Sequence, residues 1–402
     1  MKRFLNIALI LCALVFATGC PDDRKPGEKR MVLLYVAATD GSLSGYAESN
    51  VLDLIKGHVP AKNSSTEELL VFFQDRDSET ATKRSDATLS RYYTNKSGKV
   101  VREELLNYGS DFNACSAKSF ERVLAAAESQ CNPTYRVLMF SSHGTGWLPS
   151  GYYRTGESAR STEEGVSAAS PGAVRESIGY DSPTKDELDI CDFASIMGKY
   201  HWEALIMDCC LMSSVEALYQ LRTCCDWIVA SPMEIMIDGF PYSELLDPLF
   251  LDPGQSGLET ICQKYYDYYA SRDGIYRSAT IALVNCSELD NVASVAADIV
   301  ALRRAEMESV NRSGVQQYYT GSHDWFFDFA HYFEQFSTEA QYEVLSAALE
   351  SAVPFKKATE KAYSIAIDHY SGLSVYIPKA SYTTLNAYYK QLEWNQLVKI
   401  IE

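Results

Sequence analysis

The feature that most constrains the fold is a set of five short apolar runs separated by segments with helical spacing. Each run is nearly continuous rather than alternating with polar residues, which is typical of strands buried on both faces. The runs are Met31–Val36, Leu69–Phe73, Arg136–Ser141, Glu203–Asp208 and Trp227–Ser231. Apolar residues spaced three and four apart predict helices over Ala47–His58, Ser116–Ala127, Leu188–Tyr200 and Ser213–Leu221. This alternation predicts an α/β fold: a mainly parallel sheet with helices on both faces.

The rest of the chain divides into a core, a long loop and a C-terminal region. We predict a core domain over residues 30–290 and a mostly helical C-terminal region over 291–402 that packs on it. The C-terminal region has one more strand-like run, Gly372–Pro378. Residues 149–178 are rich in Ser, Gly, Ala and Glu without a sustained apolar period, and a loop of that length is usually functional or disordered.

The N-terminal segment has the order of a secretory signal. Lys2 and Arg3 precede an apolar stretch that is too short to span a bilayer, and small residues follow just before Cys20. This ending resembles the lipobox of bacterial lipoproteins, in which the cysteine is diacylated. We therefore predict a signal over 1–19, a lipid on Cys20, a polar tether over 20–29 and a lipid-anchored place in the bacterial cell envelope; the alternative is an ordinary signal with a fortuitous cysteine.

The net charge bears on possible partners. The formal charge is −17, and removal of the two cations in residues 1–19 would lower it to −19. Binding of nucleic acid needs Lys and Arg to neutralise phosphates, so an acidic chain argues against that function. An acidic surface is compatible with cationic substrates, but it also serves solubility alone.

The cysteines and histidines give no metal-binding pattern. The chain has 11 cysteines, of which nine lie beyond Cys20, without the CxxC pairs of zinc ribbons. Nine is an odd number, so at least one is unpaired within the chain, and buried thiols are the default in a protein of this size. No EF-hand-like loop is present, so calcium stays an open possibility without a supporting motif.

The first candidate site residue is His143. The third apolar run leads directly into Ser141–Trp147 (SSHGTGW). Catalytic groups of parallel sheets lie beyond the carboxyl ends of the strands, and a following glycine leaves room for a substrate. The alternative is a histidine that only makes hydrogen bonds in a glycine-rich turn.

The second candidate is the cysteine pair after the fourth run, in Asp208–Tyr219 (DCCLMSSVEALY). A cysteine between a strand end and the first turn of a helix gains thiolate character from the helix dipole, and a nearby histidine can act as its base. The alternative is that Cys209 and Cys210 are both packed core residues. Because consecutive strands tend to be neighbours, we expect the two motifs to lie close together.

With these motifs, the chain resembles the clostripain-like cysteine peptidases, relatives of caspases, legumains and gingipains. The resemblance spans nearly the whole chain beyond the signal. Its segments are Met31–Leu43 (with the family's acidic, Asn/Asp-containing turn), Tyr135–Trp147, Tyr180–Met197, Ala204–Leu221, Ala230–Tyr242, Gly372–Pro378, and Tyr388, Tyr389 and Trp394. It implies a caspase-like fold and cysteine peptidase activity.

The resemblance also implies roles for individual residues. His143 would be the general base and acid, Cys210 the nucleophile, and the N–H groups of Gly144 and Cys210 the oxyanion hole. Asp208 would lie at the floor of the S1 pocket and favour Arg or Lys at P1; the alternative is that it caps the next helix. Family members are commonly activated by self-cleavage between the His and Cys segments, where Arg154, Arg160 and Arg175 lie, with Lys185 as a less exposed candidate.

Two departures from the family pattern affect the prediction. Cys209 stands where alanine is usual, and residues 231–238 replace a more polar stretch that lines the cleft in relatives, so the P1 preference is less certain than the activity. The predicted function is hydrolysis of peptide bonds in protein or peptide substrates through an acyl-enzyme, after basic residues. The alternative is a non-catalytic surface lipoprotein that uses the fold as a binding module.

Overall fold

The computed structural model describes residues 27–77, 83–152, 178–319 and 324–402. Its centre is a nine-stranded sheet with the order β10-β8-β7-β6-β5-β1-β2-β3-β4. The strands are β1 (Arg30–Ala38), β2 (Glu67–Asp75), β3 (Ala87–Thr94), β4 (Val100–Gly109), β5 (Tyr135–Ser141), β6 (Trp202–Asp208), β7 (Cys225–Ala230), β8 (Thr280–Asn285) and β10 (Phe355–Ala358).

The five predicted strands form the parallel centre of this sheet. β1 pairs with β2 and β5, β5 pairs with β6, and β6 pairs with β7, all in parallel. All nine residues of β1 are buried, which is why its sequence is apolar on both faces. The predicted α/β fold class is therefore confirmed.

Four further strands extend the sheet with antiparallel pairing. β3 and β4 follow β2 on one side, and β8 and β10 follow β7 on the other. No strand was predicted there. β4 lies at the exposed edge, and its sequence VVREELLNYG lacks a continuous apolar run because most of its residues face water.

Helices cover both faces of the sheet. They are α1 (Ser44–Leu54), α2 (Ala117–Cys131), α3 (Ile190–Met197), α4 (Val215–Leu221), α5 (Leu246–Leu251), α6 (Gln255–Ala270), α7 (Leu289–Glu308), α8 (Phe329–Glu334), α9 (Glu339–Ala352), α10 (Thr383–Tyr389) and α11 (Glu393–Val398). The four predicted helices correspond to α1 to α4, with ends shifted by a few residues. Ser116 caps α2 through its hydroxyl, which accepts the Ser119 N–H, and Asn132 ends it in a left-handed conformation.

Two apolar layers hold these helices to the sheet. One contains Leu33, Leu138 and Leu205 of the strands with Phe120 of α2 and Phe193 of α3. The other contains alternate strand residues such as Val32, Val137 and Ala204, and covers them with Leu54 of α1 and Ile261 of α6. Successive strand residues thus point to opposite layers, as the pleat requires.

Residues 291–402 contain most of α7, all of α8 to α11, the sheet strand β10 and four short strands: β9 (Phe327–Asp328), β11 (Lys361–Ala362), β12 (Ile365–Ala366) and β13 (Ser374–Val375). Only Ser374–Val375 of the predicted run Gly372–Pro378 is a strand, and it pairs with β9 outside the main sheet. It also forms a bridge to Ser214, just after the nucleophile motif. The C-terminal region therefore contacts the candidate site.

The structure bears on the predictions about cysteines and membrane helices, but not on those about the signal and the self-cleavage residues. The nine cysteines beyond Cys20 are all free thiols, most of them buried. Among the described helices, none is long and apolar enough to cross a bilayer. The predicted signal over 1–19, the lipidation residue Cys20 and the candidates Arg154, Arg160 and Arg175 lie outside the described residues.

Candidate active site

The candidate site lies where three adjacent strands end. β5 lies between β1 and β6 in the sheet, and Val36, Ser141 and Asp208 are in register across them. Asp40 follows β1, His143 follows β5 and Cys210 follows β6, each by two residues. Since parallel strands present their carboxyl ends on one edge, the topology places these three side chains together.

Asp40 is the direct partner of His143. Its Oδ2 and the His143 Nε2 form a short hydrogen bond, with both side chains buried. The other oxygen, Oδ1, accepts the N–H groups of Ser42 and Leu43, both at 2.8 Å. Burial raises the pKa of Asp40. The hydrogen bond to His143, the positive charge of a protonated His143 and the bonds from Leu43 and Ser42 outweigh this effect and lower the pKa to about 2. Asp40 is therefore a carboxylate at any ordinary pH.

This bond determines which histidine nitrogen is available for chemistry. An ionised carboxylate accepts, so Nε2 carries a proton and donates it to Asp40. The neutral ring then has its lone pair on Nδ1, which is the nitrogen that can take a proton from a thiol. Sequence analysis did not single out Asp40 as a site residue, although it lies in the acidic turn of the segment Met31–Leu43.

Backbone hydrogen bonds to residues 231–233 hold the loop that carries Cys210 in an unfavourable conformation. Leu211 has a φ of +65°, which is unfavourable for a side chain with a Cβ. Its N–H donates to the Met233 carbonyl at 2.9 Å, and the Ser213 N–H donates to the Ser231 carbonyl at 2.9 Å. These bonds fix the turn between β6 and α4 against residues 231–233, and so fix the position of the thiol.

The environment of the thiol corrects one prediction. Cys210 was expected to gain thiolate character from a helix that begins just after it, but α4 begins only at Val215 and is capped by the Ser214 hydroxyl. Helix-dipole effects fall off within one turn, so α4 gives the thiol little stabilisation. Instead the thiol lies against the Ile235 backbone: the Ile235 N–H donates to the Cys210 Sγ at 3.4 Å, and the thiol donates to the Ile235 carbonyl at 3.8 Å. The N–H bond can stay in place when the thiol loses its proton and then favours the thiolate. Because the donor belongs to the backbone, no residue type in the sequence signals it.

Gly144 connects the two motifs. A Cβ at this position would lie 2.7 Å from the Cys210 carbonyl oxygen and 2.9 Å from the Cys209 Cβ. Glycine is therefore required here for the histidine loop to pack against the nucleophile loop. This contact holds the loops that carry His143 and Cys210 against each other, whereas Cys209 is buried and donates its thiol to the Phe140 carbonyl.

Asp208, the predicted S1 residue, ends β6 beside the site. Its Oδ2 accepts the Tyr242 hydroxyl at 2.5 Å and the Ser141 hydroxyl at 3.1 Å. Burial raises the pKa of Asp208 to about 6, against the lowering effect of these two hydroxyls. The alternative role as a helix cap is excluded, because Ser214 caps α4.

Gly239 forms one wall around the Asp208 carboxyl. It has a φ of +68°, and a Cβ there would lie 2.6 Å from the Asp208 Oδ2. The wall is fixed in turn by Tyr269, whose hydroxyl donates to the Gly239 carbonyl at 2.5 Å. The carboxyl thus lies in a narrow polar recess between Ser141, Tyr242 and Gly239.

The segment after the long loop attaches to the site through a buried ion pair. The Gly179 N–H donates to the His143 carbonyl at 2.9 Å. Two residues on, Asp181 is fully buried and binds the Arg84 guanidinium through two bonds of 2.7 Å. Asp181 also accepts the hydroxyl of Thr39, the neighbour of Asp40, at 3.1 Å. Lys185, expected to be less exposed, lies exposed in the turn that follows.

Among the described residues, one group of possible metal ligands is found, and it contains none of the candidate site residues. His331, Glu334 and His369 bring one ligand atom each within 4.8 Å of the others. However, the His331 Nδ1 accepts the Gln316 N–H at 3.0 Å, so the neutral ring carries its proton on Nε2. His331 therefore has no free lone pair to give to an ion in this arrangement.

Comparison with known proteins places the chain in a family. The model of the clostripain family of C11 peptidases matches residues 34–399. An inactive zymogen C11 protease from Parabacteroides distasonis has a similar structure, with a TM-score of 0.76 and 27% identity over 92% of this chain and 98% of that one. A secreted C11 cysteine protease from Bacteroides thetaiotaomicron, in complex with an irreversible peptide inhibitor, has a TM-score of 0.74 and 24% identity over 92% of this chain and 98% of that one. The sequence has no significant match among curated proteins.

The fold and the family model together define the class of protein: a cysteine-type peptidase with a caspase-like α/β sheet. The chain belongs to the clostripain family.

Proposed function

We propose that this peptidase is an exported endopeptidase that cuts after Arg or Lys, with Cys210 as nucleophile and His143 as its base. The observation that carries the proposal is the convergence of Asp40, His143 and Cys210 from three adjacent strand ends. Each of these residues contributes a group that acyl transfer needs: a nucleophile, a base and a carboxylate that orients the base.

The reaction begins with proton transfer from the Cys210 thiol to the His143 Nδ1, aided by the Ile235 N–H at the sulfur. The thiolate then attacks the carbonyl carbon of the scissile bond. The N–H groups of Gly144 and Cys210 stabilise the negative charge on the carbonyl oxygen. His143 next protonates the leaving amine, which departs and leaves a thioester on Cys210. Water, deprotonated by His143, attacks the thioester, and the thiol is regenerated as the acid product leaves.

Asp208 supplies the preference for a basic P1 residue. Its Oδ2 is bound by Tyr242 and Ser141, and both hydroxyls donate to the same oxygen. The carboxyl retains the capacity to accept bonds from a guanidinium or ammonium at Oδ1. A cation in the recess would also favour the ionised carboxyl, whose pKa burial raises to about 6.

Activation and location complete the proposal. We infer self-cleavage at Arg154, Arg160 or Arg175, because the segment that contains them joins Tyr152, which is buried, to Ile178, which forms a bridge to Gly144 beside His143. The zymogen form of the Parabacteroides protease and the secretion of the Bacteroides protease are consistent with activation and export. Lipid attachment at Cys20 would hold the enzyme in the cell envelope. A non-catalytic binding role is the competing proposal.

A fluorogenic peptide assay tests the proposed function. Purified protein is assayed under reducing conditions with matched peptides that carry Arg, Lys, Gln or Leu at P1. Wild type should cleave the Arg and Lys peptides, whereas Cys210→Ala should be inactive and Cys209→Ala should retain activity. Equal turnover by wild type and Cys210→Ala would contradict the catalytic role. Preferred cleavage of the Leu peptide would contradict only the proposed role of Asp208 in the S1 pocket and would leave the catalytic role of Cys210 intact.

A further inference from the structure

Glu216 is a fully buried acid that joins the nucleophile loop to the C-terminal region. It is the second residue of α4, six residues after Cys210, and its side chain has no exposed surface. Its Oε1 accepts the Tyr376 N–H at 2.7 Å and the Tyr389 hydroxyl at 3.1 Å. Both donors belong to the segment that follows the bridge between Ser214 and Ser374.

The same contacts reach the histidine loop. The Trp147 ring packs on the rings of Tyr376 and Tyr389, with centroid distances of 5.0 Å to each. Trp147 is four residues after His143. Glu216 therefore joins the helix after the nucleophile to the C-terminal segment, and the histidine loop packs on the same two tyrosines through Trp147.

The hydrogen bonding around Glu216 is that of a neutral acid. The buried Oε2 has no partner among the described residues, whereas an ionised carboxylate out of water needs donors on both oxygens or a cation beside it.

We propose that Glu216 is a positioning residue that carries a proton on Oε2 and, through Oε1, holds the helix after the nucleophile loop to the C-terminal segment on which the histidine loop packs. The positioning part rests on the proposed function of His143 and Cys210; the proton does not. The acid accepts two bonds at Oε1, and its proton leaves Oε2 uncharged. Loss of the proton would leave a buried charge without a cation and would weaken the junction.

The surroundings of Glu216 support this protonation state. Burial raises the pKa of Glu216 to about 7, although the bonds from the Tyr376 N–H and the Tyr389 hydroxyl lower it. Arg312 lies near enough to act on Tyr376, but its guanidinium is 2.8 Å from the Asp324 carboxylate. Ionisable side chains on the elements around α4 have other partners: Asp189 and Cys191 contact Tyr388, Cys286 contacts Cys225, and Glu393 and Asp290 bind Arg222.

The sign of the pH effect follows from linkage. In the unfolded chain a glutamate releases its proton near its model value of 4.5, whereas the folded protein holds it to about 7. Between these two pKa values the folded state binds more protons than the unfolded state, so the stability of the fold falls as the pH rises. Above about pH 7 this group no longer changes the stability. The difference in the folding equilibrium constant is roughly 300-fold, by the tenfold change per pH unit of separation.

The test measures thermal unfolding from pH 5 to pH 9 in the Cys210→Ala background, where no activity is involved. We expect Cys210→Ala to lose stability between pH 5 and pH 8, and Cys210→Ala/Glu216→Gln to lose several degrees less, because Gln accepts and donates as the neutral acid does. Glu343→Gln, a substitution of an exposed glutamate, is the matched control and should leave the pH profile unchanged. Identical profiles with and without Glu216→Gln would overturn the assigned proton.

The positioning role has its own readout. With an Arg peptide at pH 6, the kcat of Glu216→Gln should be near that of wild type. When the pH is raised to 8.5, the kcat of Glu216→Gln should fall less than the kcat of wild type. Glu216→Ala, which leaves the Tyr376 N–H and Tyr389 hydroxyl unpaired, should lower kcat at least tenfold with a smaller change in KM. A Glu216→Ala enzyme with wild-type kcat would refute positioning; if that variant does not fold, the Glu216→Gln pH profile of kcat decides. A wild type without activity would refute the proposed function but leave the unfolding result to decide the proton.

Discussion

The role of Asp40 allows a quantitative prediction for Asp40→Asn. Asparagine has the same shape but one acceptor oxygen in place of two, so the substitution removes the charge and leaves either the His143 N–H or the Ser42 and Leu43 N–H groups facing an amide NH2. The pKa of Asp40 is lowered from 3.8 to about 2, against burial that raises it, and this corresponds to about 2 kcal/mol in favour of the carboxylate. The protonated His143 that forms during catalysis would lose a similar stabilisation, so we expect kcat/KM to fall about 30-fold.

The assay compares kcat/KM of wild type, Asp40→Asn and Asp111→Asn, an exposed control, on one fluorogenic Arg peptide at pH 7.5. Thermal unfolding of the same three proteins measures how much Asp40 contributes to the stability of the fold. Because the lowered pKa stabilises the folded state above pH 3.8 and this contribution is lost as pH falls toward about 2, Asp40→Asn should be less stable than wild type by about 2 kcal/mol at neutral pH. A kcat/KM within twofold of wild type in a folded variant would refute the orienting role.

Three further predictions concern the recess and the ion pair. Burial raises the pKa of Asp208 to about 6, so the ratio of kcat/KM for Arg peptides over Gln peptides should rise as the pH increases through 6. Asp208→Asn should abolish that rise. A wild-type ratio that does not change with pH would contradict the assignment of Asp208 to the S1 pocket. Gly239→Ala places a Cβ 2.6 Å from the Asp208 Oδ2, so turnover of Arg peptides should fall more than that of Gln peptides, and equal losses would contradict the wall. Arg84→Met leaves Asp181 buried without its cation and should cost about 3 kcal/mol in chemical denaturation, which Arg84→Met/Asp181→Asn should partly restore; an unchanged stability in Arg84→Met would contradict the pair.

The sequence predicts the centre of the fold well because its five parallel strands are buried on both faces. Such strands read as continuous apolar runs, and residues directly after them are candidates for a site. His143 and Cys210 were identified in this way. β3 and β4 were missed because neither has a continuous apolar run: β3 is buried only in its first half, and β4 is an edge strand with no buried residue.

Other parts of the site depend on contacts between distant segments. Asp40 follows β1 as His143 follows β5, but the sequence does not tell which strands are neighbours, and an acid after a strand is common. Ile235 acts through its backbone N–H, so its side chain carries no signal. Arg84 and Asp181 are 97 residues apart, and their pairing depends on where the segment after the long loop attaches.

The central claim, that Cys210 is the nucleophile, is tested most directly by covalent labelling. The folded protein is incubated with an Arg-containing irreversible electrophilic peptide, digested and examined by mass spectrometry. The account predicts one label per chain on Cys210, none on the buried Cys209, and slower labelling in Asp40→Asn. A label on Cys209 or another thiol, or hydrolysis that continues while Cys210 is fully labelled, would contradict it.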